Sequence, residues 1–261
     1  MTIEPIEADD PESHSADIVS ANIDTLRTIL PDAFTEDGVD FDVLRQLLGD
    51  DIADSDEKYG LTWHGKRNAR KAALTPSTGT LRPAPEDSLD WDTTGNLMIE
   101  GDNLEVLKLL QKSYSGRVKL IYIDPPYNTG NDFVYKDDFR NPIGHYLDVT
   151  QGRLTSNPET SGRFHTDWLN MMYPRLMLAR NLLRDDGVLF VSINGGELAN
   201  LKLSLDAVIG AENAVATVTW LKRVSPANDA KWFSSDHDYI VAYSRSKSSL
   251  SPEWKTSASD V

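Results

Sequence analysis

The sequence predicts an α/β protein built on an open, largely parallel sheet, with a small helical segment ahead of it. Three observations carry that prediction. Val118 to Ile123 has the length and branched content of a buried strand, and it stops at Asp124-Pro125-Pro126-Tyr127, where two prolines cannot continue a central strand. A Met/Leu-rich helical pattern from His165 closes near Asp185-Asp186-Gly187 and runs straight into a second apolar strand, Val188 to Ile193. That helix–Gly–strand order is the βαβ logic of a parallel sheet. Residues 1–60 are different in kind, acidic and helical in their spacing.

The first 16 residues read as a loose acidic tail. From Asp17 to Gly49, Ile23, Leu26 and Leu30 share one helical face, Pro31 interrupts, and Val43, Leu44, Leu47 and Leu48 repeat the spacing. This predicts a helical hairpin serving as a packing cap or docking element. Residues 61–82 contain no acid and five bases, Lys66, Arg67, Arg70, Lys71 and Arg82. The first four recur at helical spacing, as expected of a face that meets DNA phosphates or neutralises the acidic segment beside it. Pro76, Gly79, Pro83 and Pro85 mark residues 74–90 as a linker.

The α/β part opens with a short strand expected at Asn96–Glu100, then Gly101-Asp102-Asn103 and a helix from Leu104 to Tyr114, with Leu104, Val106, Leu107 and Leu110 as its apolar face. Asp102 is placed to cap that helix. After the Asp-Pro-Pro-Tyr stretch comes a loop at residues 140–164, long enough to suggest function. Met172, Leu176 and Leu183 are expected in the core. A further helix, about Glu197–Ile209, leads to strands at Val215–Leu221 and Tyr239–Tyr243. His237 is expected to be a structural hydrogen-bonding residue. The division predicted is 1–60, an acidic helical segment; 61–90, a basic helix and linker; 91–250, the catalytic domain; and 251–261, a polar tail.

Composition removes several classes. With no cysteine there are no disulfides or thiolate metal sites. No apolar run reaches the roughly 18 residues of a membrane span, and Met1-Thr2-Ile3-Glu4 lacks the pattern of a secretory signal, so a cytoplasmic protein without membrane contact is expected. The net charge of −15 looks wrong for a DNA-binding protein. Residues 1–60, however, hold 17 acids against three bases, and the other 201 residues hold 24 against 23. The acidity belongs to the N-terminal segment, and the motif-bearing part is near neutral.

The chemistry readable at residues 124–127 concerns a weak amine. An exocyclic nucleobase amine is a poor nucleophile because its lone pair is delocalised into the ring. A carboxylate (Asp124) and a carbonyl (Pro125) accepting its two N–H groups would localise the pair and aim it. Tyr127 would stack on the base, and Pro125 and Pro126 hold the acceptors rigid. An ordinary strand-ending turn is the competing reading.

The stretch Asp124-Pro-Pro-Tyr-Asn-Thr-Gly-Asn-Asp-Phe-Val-Tyr-Lys-Asp-Asp-Phe139 closely resembles the catalytic motif of β-class adenine-specific DNA methyltransferases, above all the modification subunits of type III restriction–modification systems. Trp63-His-Gly-Lys-Arg67 and the helix–strand unit after His165 also match that family, so the resemblance covers most of residues 60–245. It implies a Rossmann-like methyltransferase sheet of the circularly permuted class and S-adenosylmethionine as cofactor. It also implies double-stranded DNA as substrate, a flipped adenine as target and no metal. It places Asp102 and Asn103 near the adenosyl group. Asp167 and Trp168 are read as facing the cofactor, and Lys66, Arg67, Lys222 and Arg223 as meeting DNA, with Lys231 a further candidate. The last two strands are implied to be an antiparallel pair at the sheet edge.

Two departures qualify the expectation. Asn194-Gly195-Gly196-Glu197 stands where the family carries an acidic pair and an Asn. The family's Gly-rich cofactor turn has no counterpart, since Gly195-Gly196 lacks a third glycine and a downstream acid. The expectation is therefore an incomplete methyltransferase domain, weak or inactive alone, with an exposed apolar sheet edge. Its expected partners are a restriction subunit, a complementing C-terminal portion or a second copy. Methylation of a protein amide or RNA base, and a non-catalytic DNA- or partner-binding role, remain as alternative readings.

Overall fold

The computed structural model describes residues 15–35, 38–49, 60–130, 164–222 and 236–250. The long loop expected at 140–164 falls outside them, except for its last residue. So do Arg223, Lys231, the first 14 residues of the acidic tail and the C-terminal tail.

The N-terminal segment forms two capped helices. Helix α1 (Ile18–Ile29) starts at Asp17, whose carboxylate accepts from the Val19 and Ser20 amides, and α2 (Phe41–Leu48) starts likewise at Asp40. Between them lies a two-stranded antiparallel ribbon, β1 (Phe34–Thr35) and β2 (Gly38–Val39), which periodicity did not foresee. Neither helix has a buried residue, and Ile23, Leu47 and Leu48 stay exposed. The predicted apolar faces are only partly covered: Leu26, Leu30, Val43 and Leu44 are half-buried. One tether to the rest is the Ser77 amide, which donates to the Ser15 hydroxyl at 2.7 Å.

Helix α3 (Lys66–Leu74) docks through Ala69, Ala72 and Ala73, leaving Arg67, Arg70 and Lys71 in solvent. Residues 61–63 enter the same core as the sheet, through Leu61 and Trp63. Helix α4 (Asn103–Tyr114) begins at Asp102, with Leu104 against the core. Two polar residues on its inner face, Lys108 and Gln111, are also buried. Lys108 pairs with Glu105 at 2.7 Å, and Gln111 donates to the Leu178 carbonyl at 3.2 Å.

The sheet has four strands in the order β3 (Val118–Ile123), β4 (Leu183–Ile193), β6 (His237–Ser244), β5 (Ala214–Leu221). β3 and β4 are parallel, β6 runs antiparallel to both its neighbours, and β5 closes one edge. The antiparallel ending expected for the last two strands is therefore present. Where β4 enters the sheet, the pairing skips from Val118↔Leu183 to Leu120↔Val188. Gly187 sits at this bulge, where a Cβ would lie 2.9 Å from the Arg184 carbonyl and 3.0 Å from that of Val118.

Two strand expectations need correction. β3 is an edge strand, not a buried one: only β4 pairs with it among the described residues, and while Ile121 and Ile123 face the core, Leu120 and Tyr122 on the opposite face are 58% and 56% exposed. Asn96–Glu100 forms no strand, and Met98 is 90% exposed. A strand exists only by pairing, and this segment has no neighbour to pair with among the described residues.

Helix α5 (Phe164–Leu182) fills the middle of the molecule, with 11 of its 19 residues buried, the charged Arg175 among them. Its Trp168, Met171, Met172 and Leu176 pack against Leu189, Val191 and Ile193 of β4 and against Leu201 and Leu205 of α6 (Leu198–Ile209). The Met/Leu stripe read from the sequence is core, as expected.

Candidate active site

The two parallel strands set the site. Because Ile123 pairs with Val191, the residues that follow, Asp124 and Ser192, emerge side by side at the carboxyl end of the sheet. The Ser192 hydroxyl donates to Asp124 Oδ1 at 2.6 Å and is 3.4 Å from the Ile123 carbonyl. Asp124 itself is exposed, and this bond orients one of its carboxylate oxygens.

The prolines are held from behind. Trp168, 0% exposed, donates its indole N–H to the Pro126 carbonyl at 2.8 Å. Pro125 is buried. Tyr127 is half-buried against the core, and burial pushes its phenol above the ordinary value. The neighbouring Ser192 hydroxyl opposes that rise, while the Asp124 and Asp238 carboxylates add to it.

Beside Tyr127 and Ser192 opens a cavity of about 330 Å³, at the lower end of ligand-pocket sizes. Its walls include Trp220, Lys222, Asp238 and Tyr239 from the β5–β6 pair. Asp124 is not itself a wall and reaches the cavity through Ser192. Lys222 Nζ is bound to Asp238 Oδ1 at 2.8 Å, so that cation is neutralised where it stands. His237 Nε2 lies 2.9 Å from the Tyr239 hydroxyl, a structural bond as expected.

The other predicted residues fall in two groups. Asp102 Oδ1 caps α4, accepting from the Leu104 and Glu105 amides at 3.0 and 3.1 Å. Asn103 Oδ1 takes the Arg175 Nε hydrogen at 2.5 Å. Asp102 and Asp167 are half-buried, while the buried Trp168 ring offers no face to a ligand. Lys66 folds back: its ammonium donates to the Leu61 carbonyl at 2.5 Å and lies over the rings of Trp63 and Tyr173. Burial holds its pKa below the ordinary lysine value, with Arg70 adding to the effect. Arg67 is in solvent.

Sequence reasoning missed Ser192, Asn128 and Glu197. Ser192 had a usable signal, since ligand-facing residues of open α/β sheets sit at the carboxyl ends of adjacent strands.

Comparison with known proteins places these residues in context. A family model described as DNA methylase matches residues 118–260. The chain is 36% identical over 254 residues to the type III restriction-modification enzyme EcoP15I Mod subunit of Escherichia coli, covering 93% of this chain and 39% of the relative. It is 36% identical over 240 residues to the EcoPI Mod subunit of Escherichia phage P1, covering 87% and 37%. The chain thus spans well under half the length of these curated relatives. A putative DNA modification methylase of Thermus thermophilus, TTHA0409, solved in complex with S-adenosyl-L-methionine, superposes with a TM-score of 0.35 at 16% identity, over 59% of this chain and 57% of that one.

Proposed function

Since the chain belongs to the DNA methylase family, we propose that it serves site-specific methyl transfer to the exocyclic amine of a flipped adenine in double-stranded DNA, within a restriction–modification system. The observation that carries this reading is the Asp124 carboxylate at the end of β3, one oxygen fixed by Ser192, beside a cavity walled by Tyr127, Trp220 and Tyr239.

Asp124 Oδ2 accepts one N–H of the target amine and takes the proton the amine sheds. The Pro125 carbonyl, which takes no hydrogen bond among the described residues, accepts the other. Ser192 keeps the carboxylate from rotating away. Tyr127 packs on the base. This division of labour localises the amine lone pair before transfer and costs no reorganisation at the moment of reaction. S-adenosylmethionine, when bound, supplies an electrophilic methyl carbon. Of the four residues expected to hold it, Asp102 and Asp167 remain partly open and fit as acceptors for its hydroxyl and amine hydrogens. Asn103 and Trp168 are committed to Arg175 and Pro126 and support the site from behind. Arg67, in solvent on α3 together with Arg70 and Lys71, is placed to meet a phosphate, whereas Lys66 braces the α3 dock.

One observation favours a second reading, a non-catalytic DNA- or partner-binding chain. β3 has one edge without a strand partner among the described residues and exposes Leu120 and Tyr122 on the face away from the core, which suits docking of another segment. The deciding experiment is transfer of a labelled methyl group to duplex DNA by the purified chain and its Asp124→Ala variant, followed by nucleoside digestion. Label in N6-methyladenine that the variant loses supports the proposal. Label in N4-methylcytosine overturns the base assignment, and DNA binding without transfer favours the second reading.

A further inference from the structure

Glu197 stands immediately before α6, where a side chain would be expected to cap the helix, yet it makes no capping bond and is 0% exposed. A buried carboxylate is unfavourable unless donors fill its lone pairs. Here three do. Asn128 Nδ2 donates to Oε1 at 2.5 Å, His165 Nδ1 lies 2.6 Å from the same oxygen, and Asn200 Nδ2 donates to Oε2 at 2.8 Å. Asn128 Nδ2 also reaches the Phe164 carbonyl at 3.2 Å.

Asn128 is the residue directly after Tyr127. It is buried and holds a left-handed backbone, φ 57°, which asparagine tolerates better than most residues. Its amide is therefore the pin that closes the Asp124–Tyr127 turn, and Glu197 is the socket. The socket is built from the start of α6 and the first turn of α5, two elements far along the chain.

We propose that Glu197 is a positioning residue for methyl transfer: it acts through Asn128 to fix the exit of the catalytic turn, and so the aim of Asp124 and Tyr127. The kinetic part rests on the proposed activity, but the coupling of Glu197 to the turn does not. The carboxylate works here through its oxygen acceptors. A glutamine should therefore serve, its carbonyl receiving Asn128 and His165 while the Asn200 amide flips to face the new N–H₂.

The test pairs amide hydrogen exchange over residues 118–130 with methyl-transfer kinetics on the full chain. Glu197→Ala should release exchange at residues 124–130 while β4 and α6 keep theirs. It should also lower kcat about ten-fold or more at unchanged KM for DNA. Glu197→Gln should restore both. Unchanged exchange in Glu197→Ala, or a glutamine variant as defective as alanine, overturns the proposal. Should wild type show no transfer, the proposed activity fails while the exchange result still decides the coupling. Should Glu197→Ala not fold, Asn128→Gly keeps the positive φ and removes the pin. The same local release then supports the proposal, and a protected turn overturns it.

Discussion

The Ser192 hydroxyl lies 2.6 Å from Asp124 Oδ1, so a residue from the neighbouring strand takes one of the two oxygens of the motif carboxylate. This bond follows from strand register, because Ile123 faces Val191, so that Asp124, just past the end of β3, lies beside Ser192, still within β4. Hydrogen bonds to charged groups contribute about 1.5–3 kcal/mol, or roughly 10–100-fold. Ser192→Ala should lower kcat by that factor with KM for DNA unchanged. Steady-state transfer at saturating DNA checks it, and an equal rise in KM would count against an orienting role.

Asp124→Ala removes the acceptor itself. Losing one preorganised electrostatic partner of a transition state costs about 10²–10³-fold. Transfer should fall at least that far while duplex affinity, measured by fluorescence anisotropy, stays near wild type. A variant with near-normal transfer would falsify the assignment of Asp124.

Gly65 precedes α3 with φ 105°, and a Cβ there would lie 2.6 Å from the Asn170 side-chain amide. That amide cannot simply swing away, since its oxygen accepts the Trp63 indole N–H at 2.7 Å and its nitrogen donates to the His64 carbonyl at 3.3 Å. Gly65→Ala should cost of order 1–3 kcal/mol through backbone strain and the broken contact. Chemical denaturation reads the loss, and selective proteolysis of residues 61–74 would show that α3 undocks first.

Tyr243 sets an alkaline limit. Burial pushes its phenol far above the ordinary 10.0, and its bond to Asp206 at 2.7 Å adds to the rise. A folded pKa above the unfolded one means that the unfolded chain releases this proton first. The contribution is therefore complete below pH about 10 and declines as pH rises beyond it. Denaturation midpoints should fall above pH 10, and Tyr243→Phe should flatten that decline while lowering stability at neutral pH. A midpoint curve of unchanged slope in the variant would remove Tyr243 from the account.

Much of the fold could be read from local pattern. The helix at 103–114, the long buried helix, the strand at 118–123 and the second half of β4 follow from apolar spacing, but β4 begins at Leu183, so Gly187, expected to separate helix from strand, lies inside the strand at its bulge. What escaped was set by partners. Asn96–Glu100 has strand composition but nothing to pair with among the described residues, and β3 is half-exposed because the face that carries Leu120 and Tyr122 is not covered. The Asp-Pro-Pro-Tyr turn was legible because it is contiguous. Glu197 was not, since an acid after two glycines looks like a solvated helix start, and only the fold brings Asn128 and His165 to it. Trp168 was noticed as an aromatic near the site, but its role as donor to Pro126 depends on how α5 crosses the sheet.

Helix α5 carries one more consequence, about phase. Trp168 reaches Pro126, Asn170 receives Trp63, Arg175 reaches Asn103, and the Leu178 carbonyl accepts Gln111. These obligations point in several directions from a single rod, on which each residue turns roughly 100° from the last. Inserting or deleting one residue between Trp168 and Arg175 would rotate one set of obligations away from its partners whichever set stayed fixed. The helix should therefore vary among relatives by substitution and keep its length between those two residues, much as a key keeps the spacing of its teeth.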